Sequence, residues 1–586
     1  MPPIWISPLC QTRAVNQNLR SNLEKTVREF ESRAADHQQR LDVLGVRTSQ
    51  GSFYTPIDVA DQLVSRALSS VEIRPRMNSR LPRVLDPTCG SGNFLIAAAL
   101  CLADLLTETG VSPDVALDAV VRECLFGCDV DATAIELCVQ NLATLCSGRV
   151  AATEISKHVV VKDSLRLCLL GGGKSGQASL FDEPEESWND VFPQVFATQE
   201  SGFDAVVGNP PFLSQLQSET VLDASLADAL SNRYGSSLSK MTNPASIFLL
   251  GASELVAEGG VLSMIQPVSF LATRESAEIR SILARKMSLT DVWIGGSKVF
   301  DAAVEVVAVT LVREKPNGVT RISSGRTFEA IAEVRSPVPE DSTWSRLLAQ
   351  AKGVPICAAN TTGVVGDLAS ATADFRDQYY GLVGAVKEAE QMEGVLRIMK
   401  LATVGLIDLG EFLWGSRTTR FAKEKFQRPV VDVSVLTPVL QTWATQRSRP
   451  KIIVSNQTRV IEAYVDDVGE VLPSVPLLTV DSPVDELWKV AAAIASPVAS
   501  AVAAERHLGA GMSADVIKMS AKDLINLPLP SETDEWEQGA RIFRQIHECS
   551  ETAVRRELIQ EFGKMMCEAY AASDEIFDWW WGRLSQ

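Results

Sequence analysis

Histidine is scarce in this 586-residue chain, with four residues in all, and none falls in the glycine- and proline-bearing motifs described below. Chemistry built on a histidine base or a histidine metal set therefore finds no support. The 11 cysteines are odd in number and scattered. Cys124 and Cys128 lie four apart and Cys89 sits in a glycine-rich stretch, but no histidine or second cysteine pair accompanies them, so no metal is assigned. Unpaired cysteines of this kind fit a reducing, cytoplasmic setting. No uninterrupted apolar run of about 18 residues is present, so a transmembrane helix and membrane partners are not expected. The N-terminus, MPPIWISPLCQTR, lacks a basic stretch followed by an apolar one and does not read as a secretory signal. Positive charge is also in deficit: 55 Lys and Arg stand against 73 Asp and Glu, a net charge of −18.

What is present is ordered globular character. Apolar residues make up 46% of the chain, and 586 residues exceed one hydrophobic core, so two to four domains are expected. Leu19, Leu23, Val27, Phe30, Ala34 and Leu41 fall at helical spacing and predict an amphipathic helix over about 15–42 that packs on the next domain. From about 46 to 315, short apolar runs alternate with longer helical patterns. Seven strands are expected, at Val84-Leu85, Leu125–Cys128, Val159–Val161, Ala205–Val207, Val261–Ile265, Val292–Ile294 and Val304–Val312. Such alternation predicts a doubly wound α/β sheet, in which ligands bind beyond the carboxyl ends of the strands. A flexible Gly171–Gly176 run and an acidic Asp182–Glu186 run predict a surface loop over about 170–200. Past about 330 the pattern becomes irregular α+β, and from Glu535 it is helical again. The expected division is a helical segment 1–45, an α/β domain 46–330, an α+β domain 331–534 and a helical cap 535–586. No internal repeat is evident.

Two motifs carry chemistry. In Val84-Leu85-Asp86-Pro87-Thr88-Cys89-Gly90-Ser91-Gly92-Asn93-Phe94 a strand runs into Gly90 and Gly92 and then into an apolar helix. Glycines there permit a tight turn and a close ligand approach, and the helix N-terminus favours a carboxylate. The pattern is not G-x-G-x-x-G and lacks the lysine of a phosphate loop. At the end of the next strand, the carboxylate of Asp129 or Asp131 can accept from both hydroxyls of a ribose. The second motif, Asn209-Pro210-Pro211-Phe212, ends the fourth strand. Adjacent prolines fix the backbone, so the Asn209 side-chain oxygen and the Pro210 carbonyl can aim at one planar amino group. Two acceptors on its hydrogens localise the nitrogen lone pair, which otherwise delocalises into the ring. Phe212 supplies a ring face for stacking.

The first motif resembles motif I of the class I S-adenosylmethionine-dependent methyltransferases, and D-P-x-C-G-S-G is similar to its DNA amino-methylating branch. The motif order resembles the gamma, TaqI-like group of N6-adenine DNA methyltransferases, over about 50–315. The resemblance implies a seven-stranded class I methyltransferase sheet and S-adenosyl-L-methionine as cofactor. It implies Asp129 as the ribose ligand and Asp163, in Lys162-Asp163-Ser164-Leu165, at the cofactor's adenine. Tyr54, Thr55 and Pro56 would cover its methionine end. Asp86, Thr88, Gly90, Gly92 and Asn209 complete the cofactor-binding set, and Asn209–Phe212 is the catalytic set. Phe212 stands where the family more often has tyrosine. Phe300 would lie on the other side of a target base flipped out of duplex DNA.

The same resemblance makes 331–534 a target-recognition region. Between Lys400 and Ala463 ten Lys and Arg face five Asp and Glu, a local net of +5. The candidate DNA contacts are Arg417, Arg420, Lys423, Lys425 and Arg428, then Arg447, Arg449, Lys451 and Arg459. No PD-(D/E)xK pattern is present and about 45 residues precede the stretch that holds Tyr54, Thr55 and Pro56. A methylation-only enzyme is therefore expected, in the bacterial cytoplasm and on the nucleoid when bound to double-stranded DNA, whether solitary or beside a separate restriction endonuclease or defence subunit. Alternatives are a methyltransferase acting on cytosine N4, RNA adenine or protein glutamine, and an inactive DNA-binding specificity or defence subunit. Gln177–Phe181 resembles the peptide that docks on the bacterial sliding clamp, a five-residue pattern that recurs by chance. Trp579-Trp580-Trp581 is expected to close the helical cap against the core.

Overall fold

A computed structural model describes residues 29–30, 32–36, 39, 55–69, 80–170, 186–196, 201–212, 224–235, 238, 243–296, 305–314, 318–341, 343–357, 359, 361–374, 376–392, 397–511 and 513–584. The chain divides into two compact units, Met1–Trp344 and Ser345–Gln586. The recognition segment from Ser345 onward and the cap, read separately from the sequence, fall within one unit.

Unit 1 is built on a mixed sheet. Its strands are β1 (Val84–Asp86), β2 (Leu125–Asp129), β3 (Val159–Val161), β4 (Phe203–Gly208), β5 (Val256–Pro267), β6 (Ser288–Ile294), β7 (Val306–Val312), β8 (Val319–Ser324) and β9 (Glu329–Arg335), in the order β3-β2-β1-β4-β5-β7-β6-β8-β9. β1 to β5 pair in parallel, while β7 runs antiparallel between β5 and β6. All seven expected strands are present in chain order. The sheet is nevertheless larger than seven strands and extends to Arg335, past the expected domain limit. β9 escapes sequence reading because it is an exposed edge strand that carries Glu329, Glu333 and Arg335 and buries little, as edge strands do to avoid pairing with other chains.

β1 and β4 are buried throughout, as expected of central strands covered on both faces. Ala205 and Val207, alternate residues of β4, join a core cluster with Val59, Leu63 and Val64 of α1 (Ile57–Ser69) and Leu95 and Ile96 of α2 (Asn93–Thr107). Phe30 joins the same cluster, and Ala34, one helical turn on, is also buried, so this part of the N-terminal helix packs as its spacing predicts. On α3 (Pro113–Glu123) the buried face is Ala116, Leu117, Val120 and Val121, and α4 (Ala132–Leu145) follows β2. Residues 171–185, which include the clamp-like peptide, lie outside the described residues.

Unit 2 holds two four-stranded sheets. One orders Ser370–Ala373, Leu478–Asp481, Lys451–Val454 and Ala463–Asp466; the other orders Val386–Glu388, Pro429–Asp432, Ile398–Ala402 and Val471–Pro473. Three helices close the chain: Asp534–Glu548, Thr552–Ala569 and Asp574–Leu584. Trp580 is fully buried among Phe562 and Phe577, and Gly563 makes room for it, since a Cβ there would lie 2.7 Å from the Trp580 ring. Trp579 and Trp581 are half-buried. Among the described residues no single helix is long and apolar enough to cross a membrane. Replacing Trp580 by alanine is expected to destabilise unit 2 by ~3–5 kcal/mol in denaturant unfolding, and Trp579→Ala by less than half as much. Equal losses at the two positions would sink the packing assignment.

Candidate active site

The carboxyl ends of β1, β2 and β4 converge on one loop system. After Asp86 the chain turns through Pro87 to Gly92, with Gly90 at φ 52° and Gly92 at φ 95°. Gly92 caps α2 without a side-chain hydrogen bond, so the first-turn N–H groups of this helix are not satisfied by a capping side chain. A Cβ on Gly92 would lie 2.6 Å from Cys138 Sγ, so crowding and left-handed backbone both demand glycine.

Asp129 ties this loop to the end of β2. Its carboxylate accepts from the Gly90 N–H at 2.9 Å and from the Asp131 N–H at 2.9 Å. Asp131 turns the other way and caps α4, accepting from Thr133 at 2.8 Å and Ala134 at 3.3 Å. The two carboxylates of Asp129-Val130-Asp131 thus have separate jobs, and Asp129 is the one drawn to the glycine loop. Burial raises its pKa above the ordinary carboxylate value. Asp163 is exposed after β3 and caps the helix α5 (Ser164–Leu170), accepting from the Arg166 N–H at 3.1 Å. The backbone of Lys162 donates to the Asp129 carbonyl at 2.9 Å, which brings this segment alongside.

Asp86 is 1% exposed and accepts from the Thr88 N–H at 3.0 Å. Burial, reinforced by the nearby Asp129 carboxylate, pushes its pKa up to about 8. Gly208, the last residue of β4, faces it: a Cβ there would stand 2.8 Å from Asp86 Oδ1. Asn209 follows directly and is half-buried, Pro210 is buried and Pro211 half-buried. Phe212 is half-buried and packs against the unit 1 core. Thr55 is buried and Pro56 opens α1 with its carbonyl accepting from Val59 and Ala60. Tyr54 and Phe300 lie outside the described residues.

Two residues that hold this site together are not singled out from the sequence. Asn93 donates from Nδ2 to the Thr55 carbonyl at 2.7 Å, fastening the stretch before α1 to the start of α2. Asn141, fully buried on α4, donates to the Ser91 carbonyl at 3.1 Å and holds the glycine loop from behind. Both are polar residues inside apolar helices, and that misfit is the signal that could have marked them. The Thr55 and Ser91 hydroxyls are buried with no hydrogen-bond partner among the described residues.

In unit 2 the expected DNA strip separates. Arg447 and Lys451 are corrected: they are interior residues, Arg447 paired with Asp374 at 2.7 Å and Lys451 with Asp466, all four side chains buried. Burying such charges requires a partner, which removes them from any surface. Arg449 forks onto Asp481 at 3.0 and 2.7 Å, Arg428 pairs with Glu390 at 2.9 Å, and Arg417 reaches Asp408 at 3.9 Å. Arg420, Lys423, Lys425 and Arg459 are exposed and have no ion-pair partner among the described residues.

The order β3-β2-β1-β4-β5-β7-β6, with a glycine loop after β1 and an acidic residue ending β2, defines the class I S-adenosylmethionine-dependent methyltransferase fold. Within it, residues 123–300 match the family of the Eco57I restriction-modification methylase. The chain is 32% identical over 169 residues to the adenine-specific methyltransferase PglX of Streptomyces coelicolor, an alignment covering 25% of this chain and 13% of that relative. In structure it is similar to the type IIL restriction-modification enzyme MmeI in complex with DNA, with a TM-score of 0.56, 11% identity, and 91% of this chain and 77% of that chain covered. It is also similar to the DrdV–DNA complex, with a TM-score of 0.50, 12% identity, and 89% and 60% covered.

Two outcomes follow from the site's geometry. Gly110 has φ 94° but no atoms near a Cβ, so Gly110→Ala registers backbone strain alone, ~1–2 kcal/mol. Gly92→Ala adds crowding against Cys138 and is expected to lower S-adenosylmethionine affinity at least tenfold by calorimetry while Gly110→Ala leaves it unchanged; equal affinities would overturn this reading. Because burial raises the Asp86 pKa in the fold to about 8 from 3.8, its neutral form is the favoured one. That contribution is complete below the unfolded value and is lost as pH rises through about 8. The melting temperature of the wild type should fall relative to Asp86→Asn between about pH 4 and 8, and a gap independent of pH would contradict it.

Proposed function

We propose that this chain transfers a methyl group from S-adenosylmethionine to the N6 amino group of adenine in double-stranded DNA. The observation that carries the reading is the placement of Asn209-Pro210-Pro211-Phe212 directly after Gly208, where a Cβ would run into the Asp86 carboxyl group beside the glycine loop. The family match over 123–300 and the adenine-specific relative support it. The two structural neighbours named above are complexes with DNA, which supports duplex DNA as the partner. A separate restriction protein is a second partner consistent with the restriction-modification family.

The residues fit the cofactor. Gly90 and Gly92 turn the loop with a left-handed backbone, and the buried Thr55 and Ser91 hydroxyls offer hydrogen bonds that the described residues leave unused. In this reading Asp129 holds the ribose hydroxyls, Asp163 the adenine amino group, and the N-terminus of α2 the carboxylate. Tyr54, Thr55 and Pro56 cover the methionine end. The bound sulfonium supplies the methyl group.

Asn209 and the Pro210 carbonyl accept from the two hydrogens of the target amine and concentrate its lone pair on nitrogen. As that lone pair forms the new N–C bond, the methyl–sulfur bond of the donor breaks with its electron pair staying on sulfur, and one proton then leaves the nitrogen to water. Positioning the amine in line with the methyl donor accounts for most of the acceleration expected. Phe212, and Phe300 opposite it, stack on a base that must leave the duplex, because the amino group inside the helix is out of reach. Asn209→Ala is expected to lower the rate of methyl transfer by on the order of 100-fold or more while duplex binding persists. Tritium transfer from labelled S-adenosylmethionine measures this, and transfer at the wild-type rate would refute the mechanism. Long-read sequencing of DNA from a host expressing the wild type should find N6-methyladenine; N4-methylcytosine in its place would move the reading to the other base.

A further inference from the structure

Six of the ten cations between Lys400 and Ala463 face a carboxylate: Lys400, Arg417, Arg428, Arg447, Arg449 and Lys451. Of the four that remain, Arg420, Lys423 and Lys425 belong to one β-hairpin, Thr419–Phe421 paired antiparallel with Glu424–Phe426. Its register sets Thr419 opposite Phe426, Arg420 opposite Lys425 and Phe421 opposite Glu424. Directly opposed residues share a face, so Thr419, Phe421 and Phe426 point one way while Arg420 and Lys425 point the other. The first face is anchored. Phe421 and Phe426 are buried in a cluster with Leu401, Val431 and Trp443, and the Tyr379 hydroxyl accepts from the Ala422 N–H at 3.2 Å. The second face is exposed.

This hairpin breaks two local rules at once. Its two-residue turn is Ala422-Lys423, with φ 49° and 72°, where a turn of this hand favours asparagine and glycine. Its exposed cross-strand pair sets two positive charges directly opposite each other, which is destabilising. No carboxylate among the described residues relieves Arg420, Lys423 or Lys425. Glu424, the acid in the hairpin, lies on the anchored side. A ligand that neutralises this face removes the repulsion, and the ligand must carry regularly spaced negative charge. A two-stranded ribbon also has the width that the major groove of B-form DNA admits.

We propose that the Thr419–Phe426 hairpin is a rigid ribbon that enters the major groove of duplex DNA, with Lys423 and Lys425 on phosphates and Arg420 on a guanine edge. The inference rests on the DNA methyltransferase reading. Arg420 takes the base because its planar fork matches the paired acceptors of guanine and its backbone is held in a strand, whereas lysines act as point charges.

The test uses the full chain and a mixed-sequence duplex in fluorescence anisotropy over a salt series, with long-read mapping of methylated sites. Lys423→Ala/Lys425→Ala should flatten the slope of log affinity against log salt by about 1.8, since each phosphate contact contributes about 0.9. Arg420→Ala should relax discrimination at one position of the methylated site by on the order of 10- to 100-fold. The triple variant should melt no lower than the wild type, because the like-charge pair is gone, which separates lost binding from lost folding. An unchanged salt slope together with an unchanged site profile overturns the hairpin assignment while the wild type's methyl transfer leaves the function standing. Failure of the wild type to bind the duplex overturns both.

Discussion

The Asp129 carboxylate, shared between the Gly90 and Asp131 N–H groups, is the constraint on which the site depends. It spans from the loop after β1 to the turn after β2, so two strand ends that are distant in sequence move as one body. The loop can take this course because Gly92 accepts a left-handed backbone and presents no Cβ to Cys138. Asn141 pulls on the same loop from α4 and Asn93 fastens it to Thr55. Rigidity at such a site is an electrostatic asset, since groups that are already oriented need not reorganise when charge moves.

Asp86 shows what that rigidity requires. A carboxyl group buried this completely favours its neutral form, and its neighbour Asp129 adds to the effect. β4 can run close to it because its final residue is Gly208. The same close approach sets the position of Asn209, one residue on. The strand that delivers the candidate catalytic residues therefore runs close beside the strand that delivers the glycine loop, and a side chain at Gly208 would push the two apart.

In unit 2 electrostatics sorts residues that look equivalent in the sequence. Arg447 and Lys451 hold the interior together through buried ion pairs, where losing one partner leaves an uncompensated charge and destabilises strongly. Their acids, Asp374 and Asp466, lie outside or at the far end of the basic stretch. Hence a local excess of +5 overstates the exposed positive charge. The hairpin at Thr419–Phe426 keeps its cations because its other face is committed to Phe421 and Phe426 in the core.

By itself the sequence determined seven of the strands, their succession along the chain and the positions of both motifs. Those are local properties: strand periodicity, glycines that permit one turn, prolines that fix another. It also separated Asp129 from Asp131 in order of preference, which the capping of α4 by Asp131 explains physically. It could not show β9 as a sheet member, because an exposed edge strand has no apolar pattern. Nor could it show the roles of Asn93 and Asn141, whose partners lie 38 and 50 residues away. Only the tertiary structure decided which of the basic residues after Lys400 are neutralised and which keep their charge, because that turns on whether folding brings each one a carboxylate.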